Sequence, residues 1–474
     1  MSEFTRRQFV KKVGVGAAAV TAAGAAPRPG AAAHHEDSHA KGGDDYDVIV
    51  IGGGFAGVTA ARDTSRAGLR TLILEARNRL GGRTFTADFA GHKVELGGTW
   101  VHWVQPHVWS EIMRYDLDVV ETPGANPDEI VALRDGKSTT KPAAEVWEAL
   151  YAATEKMFAA VPELLPEPYR AFETADAWRE IDRLTLAQGI EKAPLSPYEA
   201  YLDDSVWGVM LHNYADVGGL LDPMRWYALS GYSTGVVVDA ATRYKLKVGT
   251  RGLIDRMIEE GKPDVRVGTP VRSISHGKDS VTVVTEEGDT LRARAAIVTV
   301  PLNVLKDVKF SPTLSSAKLA ASREEHAGHG TKVYAQVRGD LGNIFLMAPS
   351  RSPLAGAFTY ARDEASTLLV GFGPSREILD VNDREAVGAV IRSFLPEAEV
   401  TSSFGYDWIL DPYSRGTWCM FKPNQASLYW KELQRPEGRL FFASADSANG
   451  WRGFIDGAIE RGLRVAAEVS QLLG

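Results

Sequence analysis

Val48-Ile49-Val50-Ile51-Gly52-Gly53-Gly54-Phe55-Ala56-Gly57 is the stretch on which the fold turns. Four consecutive apolar residues ending at glycine read as a strand buried on both faces of a parallel sheet. The ordered chain opens just before it, at Tyr46, and a helical pattern follows from about Ala56 to Ala67. Leu69 to Leu74 reads as a second strand ending at Glu75, which completes a βαβ unit of about 30 residues. Within Gly52-x-Gly54-x-x-Gly57 the first glycine permits a tight turn. The second lets a pyrophosphate approach the backbone, and the third lets helix and strand pack closely. The helix start offers free N–H groups and the positive end of the helix dipole to phosphate. A carboxylate at Glu75 accepts hydrogen bonds from adenosine ribose hydroxyls and repels a 2′-phosphate, which disfavours NADP. GxGxxG alone is weak evidence; strand, helix and acid in register with it make this a dinucleotide site.

Gly81-Gly82-Arg83 comes six to eight residues after Glu75 and leads into Glu95-Leu96-Gly97-Gly98-Thr99-Trp100. Two glycine pairs let backbone run close along an extended ligand, and Arg83 is placed to bridge phosphate oxygens. This favours FAD over NAD. Gly97, Gly98 and Thr99 join Gly52, Gly54, Gly57, Glu75 and Arg83 as candidate cofactor contacts.

The remaining pattern extends over 474 residues, a length that suggests two or three domains. From about Asp128 to Met257 tryptophan, alanine and acidic residues recur at helical spacing (Trp147, Leu150, Tyr151, Met157, Phe158), as in a mostly helical insert. Val265 to Val300 returns to strands, and strand-like runs at Lys332–Val337 and Thr367–Phe372 alternate with helices. Arg439 to Ala443 is another buried strand, and Ile455, Ile459, Leu463, Ala466, Val469 and Leu473 mark one face of a last helix. The expected class is α/β: a Rossmann-like FAD-binding domain with a second, mixed α+β substrate domain carrying the helical insert. Its FAD-binding parts are 44–127, 250–305 and 435–474; its substrate parts are 128–249, helical, and 306–434, sheet. Val271, in the strand region of the second FAD-binding part, and Ile455, at the start of the last helix, are also candidate cofactor contacts.

Net charge is −8, which argues against a nucleic-acid partner, since no global positive field draws phosphates. One cysteine, Cys419, excludes an internal disulfide and a cysteine-based metal site. His102 and His107 are five apart and flanked by tryptophans, a spacing that reads as packing; no metal is expected.

Residues 1–43 form a separate object. Thr5-Arg6-Arg7-Gln8-Phe9-Val10-Lys11 reads as a twin-arginine signal, followed by a mild apolar stretch from Val13 to Ala26, a Pro27–Gly30 break and small residues Ala31-Ala32-Ala33 for cleavage. The apolar stretch falls short of the roughly 20 residues of a membrane span. His34 to Gly43 reads as a linker. The expectation is an exported protein, periplasmic or secreted, without a membrane span.

Beyond residue 45 the chain resembles the flavin monoamine oxidases. Asp47 to Trp103 looks like their N-terminal FAD-binding segment. Gly438-Arg439-Leu440-Phe441-Phe442-Ala443, continuing through Asn449-Gly450-Trp451 to Phe454-Ile455-Asp456-Gly457-Ala458, looks like their C-terminal one. Trp100-Val101-His102-Trp103 and Asn449-Gly450-Trp451 are most similar to the bacterial branch that oxidises nicotine and related amines. The resemblance implies that Lys332 holds a water beside flavin N5. It also implies that Trp418 and Phe454 are the two walls of an aromatic cage that aims the amine's α-carbon. It departs at Ser444 and Asp446, where relatives commonly have glycine and glutamate; Asp446 is still expected to accept a hydrogen bond from the flavin side. Where covalent relatives carry their flavin-linking cysteine this chain has Thr417, and Cys419 is about 7 Å further along an extended strand, so the FAD reads as non-covalent.

The implied chemistry is transfer of a hydride equivalent from the carbon beside the substrate nitrogen to oxidised flavin, then hydrolysis of the iminium. The expected partners are a small-molecule amine, oxygen or a redox protein as acceptor, and a second copy of the chain as a homodimer. Two alternatives stay open: an amino-acid oxidase of the same fold, with Arg243 or Arg415 clamping the carboxylate, and an FAD-binding protein without turnover. The export expectation has its own test. Replacing Arg6→Lys together with Arg7→Lys should retain the protein in the cytoplasm, as fractionation would show; undiminished export contradicts the signal.

Overall fold

A computed structural model describes residues 45–474, so the signal and linker of residues 1–43 lie outside the described residues. β1 (Tyr46–Ile51) explains its own unbroken apolar run. Val48 and Val50 enter one hydrophobic cluster, Ile49 and Ile51 another, one on each face of the sheet. β1 is flanked by two parallel neighbours, β2 (Thr71–Leu74) and the strand Thr290–Val298. The first of these is reached through the crossover helix α1 (Phe55–Arg66).

Eight strands make this sheet, and they come from three stretches far apart in sequence. The order runs from Asp264–Arg266 through β2, β1, Thr290–Val298, Val281–Thr285 and Val271–His276 to Lys309–Ser311. Leu440–Phe442 pairs in parallel with Thr290–Val298 as well. The C-terminal helix Ile455–Leu473 lies on α1, so closely that a Cβ on Gly462 would stand 2.6 Å from the Ala56 carbonyl oxygen. α1 also packs with the helix Gly249–Gly261, whose Leu253, Ile254 and Met257 share a hydrophobic cluster with Val58 and Ala61. The strand Lys309–Ser311 carries the middle stretch past residue 305, the boundary expected from sequence.

A seven-stranded sheet forms the second layer, in the order Val400–Gly405, Thr331–Arg338, Ser366–Gly373, Gly356–Arg362, Ile344–Met347, Glu129–Arg134, Lys137–Pro142. The last two strands correct the sequence reading, which placed residues from 128 onward in a helical insert. Asp135 and Gly136 take φ of 52° and 72°, the left-handed pair of a two-residue hairpin turn, and Glu129–Arg134 then adds in parallel to Ile344–Met347. The helices begin only at Ala143–Met157, followed among others by Pro197–Leu211, Leu221–Leu229 and Thr234–Thr242. They bury an aromatic core in which Phe158 packs on Trp207 and Tyr227.

The turn after β1 depends on a missing side chain. A Cβ on Gly57 would lie 2.0 Å from the Gly52 carbonyl oxygen and 3.0 Å from Thr299 Oγ1, so helix and strand touch through backbone. Gly57→Ala must push α1 off the sheet, an overpacking cost of about 1–3 kcal/mol, and should lower both thermal stability and flavin content. Gly277→Ala, where only the Ser280 carbonyl oxygen comes near at 3.8 Å, is the control and should leave both unchanged.

Candidate active site

One cavity of about 620 Å³ runs from the ends of β1 and β2 to the second sheet and its helices. Gly52, Gly54, Glu75, Arg83, Gly97, Gly98, Thr99 and Val271 of the predicted residues line it, and so do Lys332, Trp418, Phe454 and Ile455. Gly57 and Asp446 do not.

At the β1 end the geometry suits a pyrophosphate. Gly54, Phe55 and Ala56 line the cavity, and α1 starts there with no side-chain cap and no acidic residue in its first turn. Its leading N–H groups are therefore available to an anion. The Glu75 carboxylate is held in place by the N–H groups of Gly53 at 2.7 Å and Arg77 at 2.9 Å. Each of its oxygens keeps a lone pair for a ribose hydroxyl. The C-terminal helix likewise starts uncapped, with Gly453, Phe454 and Ile455 on the cavity wall. Its dipole favours negative charge placed there. A flavin dinucleotide fits the chain in these three respects.

Arg83 and Asp446 are joined to each other. Arg83 Nη2 donates to Asp446 Oδ1 at 2.6 Å and Nη1 to the Thr417 carbonyl at 2.9 Å. The second carboxylate oxygen of Asp446 accepts from the Leu302 N–H at 2.8 Å. Both oxygens of Asp446 thus accept hydrogen bonds from protein groups, and its side chain does not line the cavity. Burial pushes its carboxyl up, but the Arg83 charge and these hydrogen bonds bring it below the usual range. Ser444 does line the cavity, yet its hydroxyl turns back to accept from the Asp446 N–H at 3.2 Å. The extra side chain therefore caps a turn instead of filling the site.

Lys332 is the second residue of the strand Thr331–Arg338, 4% exposed. Its Nζ donates to the Glu95 carbonyl at 2.6 Å, the Gly97 carbonyl at 3.0 Å and Thr99 Oγ1 at 2.6 Å. The Glu95 carboxylate behind it accepts from the Thr250 N–H at 2.7 Å, Thr250 Oγ1 at 2.8 Å and Thr86 Oγ1 at 2.7 Å. Burial pulls the lysine down to about 7, with Glu95 opposing and Lys245 assisting that shift.

Trp418 donates its Nε1–H to the Met210 carbonyl at 2.9 Å and stacks on His212, ring centroids 3.9 Å apart and planes 5° apart. Phe454 is held edge-on by Trp226 at 4.7 Å and Trp451 at 5.0 Å. Trp100, Phe358 and Phe372 extend the aromatic wall. Among these, His212, Trp226, Phe358 and Phe372 escape sequence reading as site residues. They lie on separate helices and strands, and nothing local distinguishes them from core.

Comparison with known proteins settles the family. A family profile described as flavin-containing amine oxidoreductase matches residues 55–470. The chain is 43% identical to a pseudooxynicotine dehydrogenase from a Pseudomonas species, over 99% of this chain and 96% of that one. It is 38% identical to the nicotine dehydrogenase of Pseudomonas putida, over 99% and 98%. The chain belongs to the flavin-containing amine oxidoreductases. A solved putrescine oxidase with putrescine bound shares the fold, with a TM-score of 0.76 at 22% identity over 90% of this chain and 98% of that one. Membership of this family implies a flavin cofactor.

Lys332 in this oxidoreductase yields a signed pH expectation. Its ordinary value is 10.5 and its folded value about 7, so between these limits the unfolded chain binds the extra proton. Its contribution to stability therefore rises with pH through that window and is flat below 7. The stability of Lys332→Met relative to the parent should accordingly fall as pH rises from about 7 to 10, by denaturant titration. The same variant should slow flavin reduction or reoxidation, and unchanged kinetics in both half-reactions would contradict the assignment.

Proposed function

We propose that this chain binds FAD without a covalent bond and oxidises a neutral, largely apolar amine of the nicotine-related kind named for its relatives. The observation that carries the reading is the chemistry of the cavity beyond Lys332. Trp418, Phe454, Trp226, Phe358, Phe372 and Met347 line it, and among the described residues the arginines lining the whole cavity are already paired, Arg77 with Asp411, Arg83 with Asp446 and Arg415 with Asp307. Arg243 lies in a separate recess, bonded to Asp239; Arg415 lines the large cavity but pairs with Asp307 at 3.2 Å. An amino acid would bury its carboxylate unpaired, at several kcal/mol. The amino-acid oxidase alternative loses support accordingly.

The chemistry a bound flavin supplies is acceptance of a hydride equivalent from the carbon next to the amine nitrogen, leaving an iminium for water to hydrolyse. The chain's own residues do the rest. Trp418 and Phe454 restrict the amine to few orientations and exclude water. The apolar surroundings favour the uncharged amine, which needs no general base. Lys332 and its three acceptors hold residues 95–99 rigidly along the wall. Support for a non-covalent cofactor comes from Thr417, whose hydroxyl is bonded to His212, and from Cys419, which is fully buried and does not line the cavity. The twin-arginine pattern supports export of the folded holoenzyme, with oxygen or a redox protein taking the electrons outside the cytoplasm.

Stopped-flow mixing of the oxidised enzyme with amines and amino acids under anaerobic conditions tests this reading. Tertiary, secondary or primary amines of apolar character should bleach the flavin and amino acids should not. Trp418→Ala and Phe454→Ala should each slow bleaching by a factor on the order of 100 while flavin content stays nearly full. Faster bleaching by amino acids, or parental rates in both variants, would overturn it.

A further inference from the structure

His212 ends the helix Pro197–Leu211 in the left-handed region, at φ 55° and ψ 39°. Glycine is the cheapest residue there, and a side chain kept in that conformation calls for a reason. The reason lies in the ring, which is buried and bonded on both nitrogens. Nε2 is 2.9 Å from the Thr331 carbonyl, and since a carbonyl only accepts, Nε2 carries the proton. Nδ1 is then the acceptor for the Thr417 hydroxyl, 2.8 Å away. Burial lowers the imidazole to about 3, the Thr331 carbonyl opposes this, and the nearby Lys332 and His329 assist it. The ring is thus neutral, in one tautomer, in one orientation.

Its two hydrogen-bond partners immediately precede the two groups on which the site depends. Thr331 precedes Lys332, and Thr417 precedes Trp418. The flat face of the same ring lies on the Trp418 indole, 3.9 Å away and 5° from parallel. Packing around it leaves little slack: a Cβ on Gly330 would stand 2.3 Å from the His212 ring. The Trp418 indole is also tied at Nε1 to Met210, on the same helix end. One face of Trp418 is therefore occupied by imidazole, and the face away from His212 is the one left for a ligand.

We propose that His212 is a positioning residue for amine oxidation: its neutral ring sets the plane of the Trp418 cage wall and the spacing of that wall from Lys332. The proposal rests on the amine-oxidising reading above, and its tests separate the two. His212→Asn keeps a residue that tolerates the left-handed backbone but removes the stacking face and the reach to Thr331 and Thr417. Thr417→Val removes one bond only, and Thr417→Ser restores it.

In crystal structures of the holoenzymes, the Trp418 indole should turn out of its parallel stack in His212→Asn. At saturating amine, flavin reduction in that variant should slow by about tenfold or more while flavin content is retained, since misorientation costs rate and not cofactor. Thr417→Val should shift the rate in the same direction by less, and Thr417→Ser should return it to the parental value, a rescue that loss of stability alone would not produce. An unmoved indole in His212→Asn, or a parental reduction rate there, overturns the proposal. Should His212→Asn fail to fold, equal rates in Thr417→Val and Thr417→Ser overturn it. If no amine reduces the parent enzyme, the amine reading falls, and the Trp418 ring plane still decides the role of His212.

Discussion

The ammonium of Lys332 is buried, and a buried cation without partners would cost several kcal/mol. Its three acceptors all come from residues 95–99, which belong to the other half of the structure. That single requirement ties the strand Thr331–Arg338 of the second sheet to the glycine-containing segment that follows the nucleotide fold. Lys332, Gly97 and Thr99 of this knot all line the cavity. Glu95 reinforces it: its carboxylate, held by Thr86 and Thr250, stands behind the lysine and opposes the loss of its proton.

A second tie works by the same rule. Arg83 is anchored to Asp446 and to the Thr417 carbonyl, residues more than three hundred positions away in sequence. Asp446 is anchored in turn by the Leu302 N–H. Arg83 and Asp446 are thus both partnered by groups of the protein. The shorter acid at 446 is sufficient because its contact is a guanidinium and a backbone N–H. The serine at 444 is tolerated because its hydroxyl closes a turn.

Aromatic packing supplies the other half of the site. Trp418 and Phe454 are fixed from behind by His212 on one side and by Trp226 and Trp451 on the other. Side chains supported from behind in this way have little freedom left to lose. The sequence singles out Asn449-Gly450-Trp451 without assigning it a task. In the fold its last residue backs Phe454 and donates to the Val104 carbonyl at 2.9 Å, joining this motif to the one that begins at Trp100.

Much of this was legible in the chain because it follows from local rules. Unbroken apolar runs, glycines at positions 52, 54 and 57, and an acid at the end of β2 have few conformations that satisfy them, and all lead to a nucleotide-binding βαβ unit. The Asp135-Gly136 turn was equally local, and its flanking strands were readable by the same rule, yet the surrounding helical periodicity masked them. What only the tertiary structure decided is who partners whom. Asp446 serves Arg83 because chain closure brings residues 83, 302 and 446 together, and a carboxylate takes the nearest strong donors. His212 lies beside Trp418 because a helix end, a sheet strand and a loop converge there. Spacing along the chain determines which elements form; burial determines which polar groups must find each other, and that choice is made only when distant segments exclude water together.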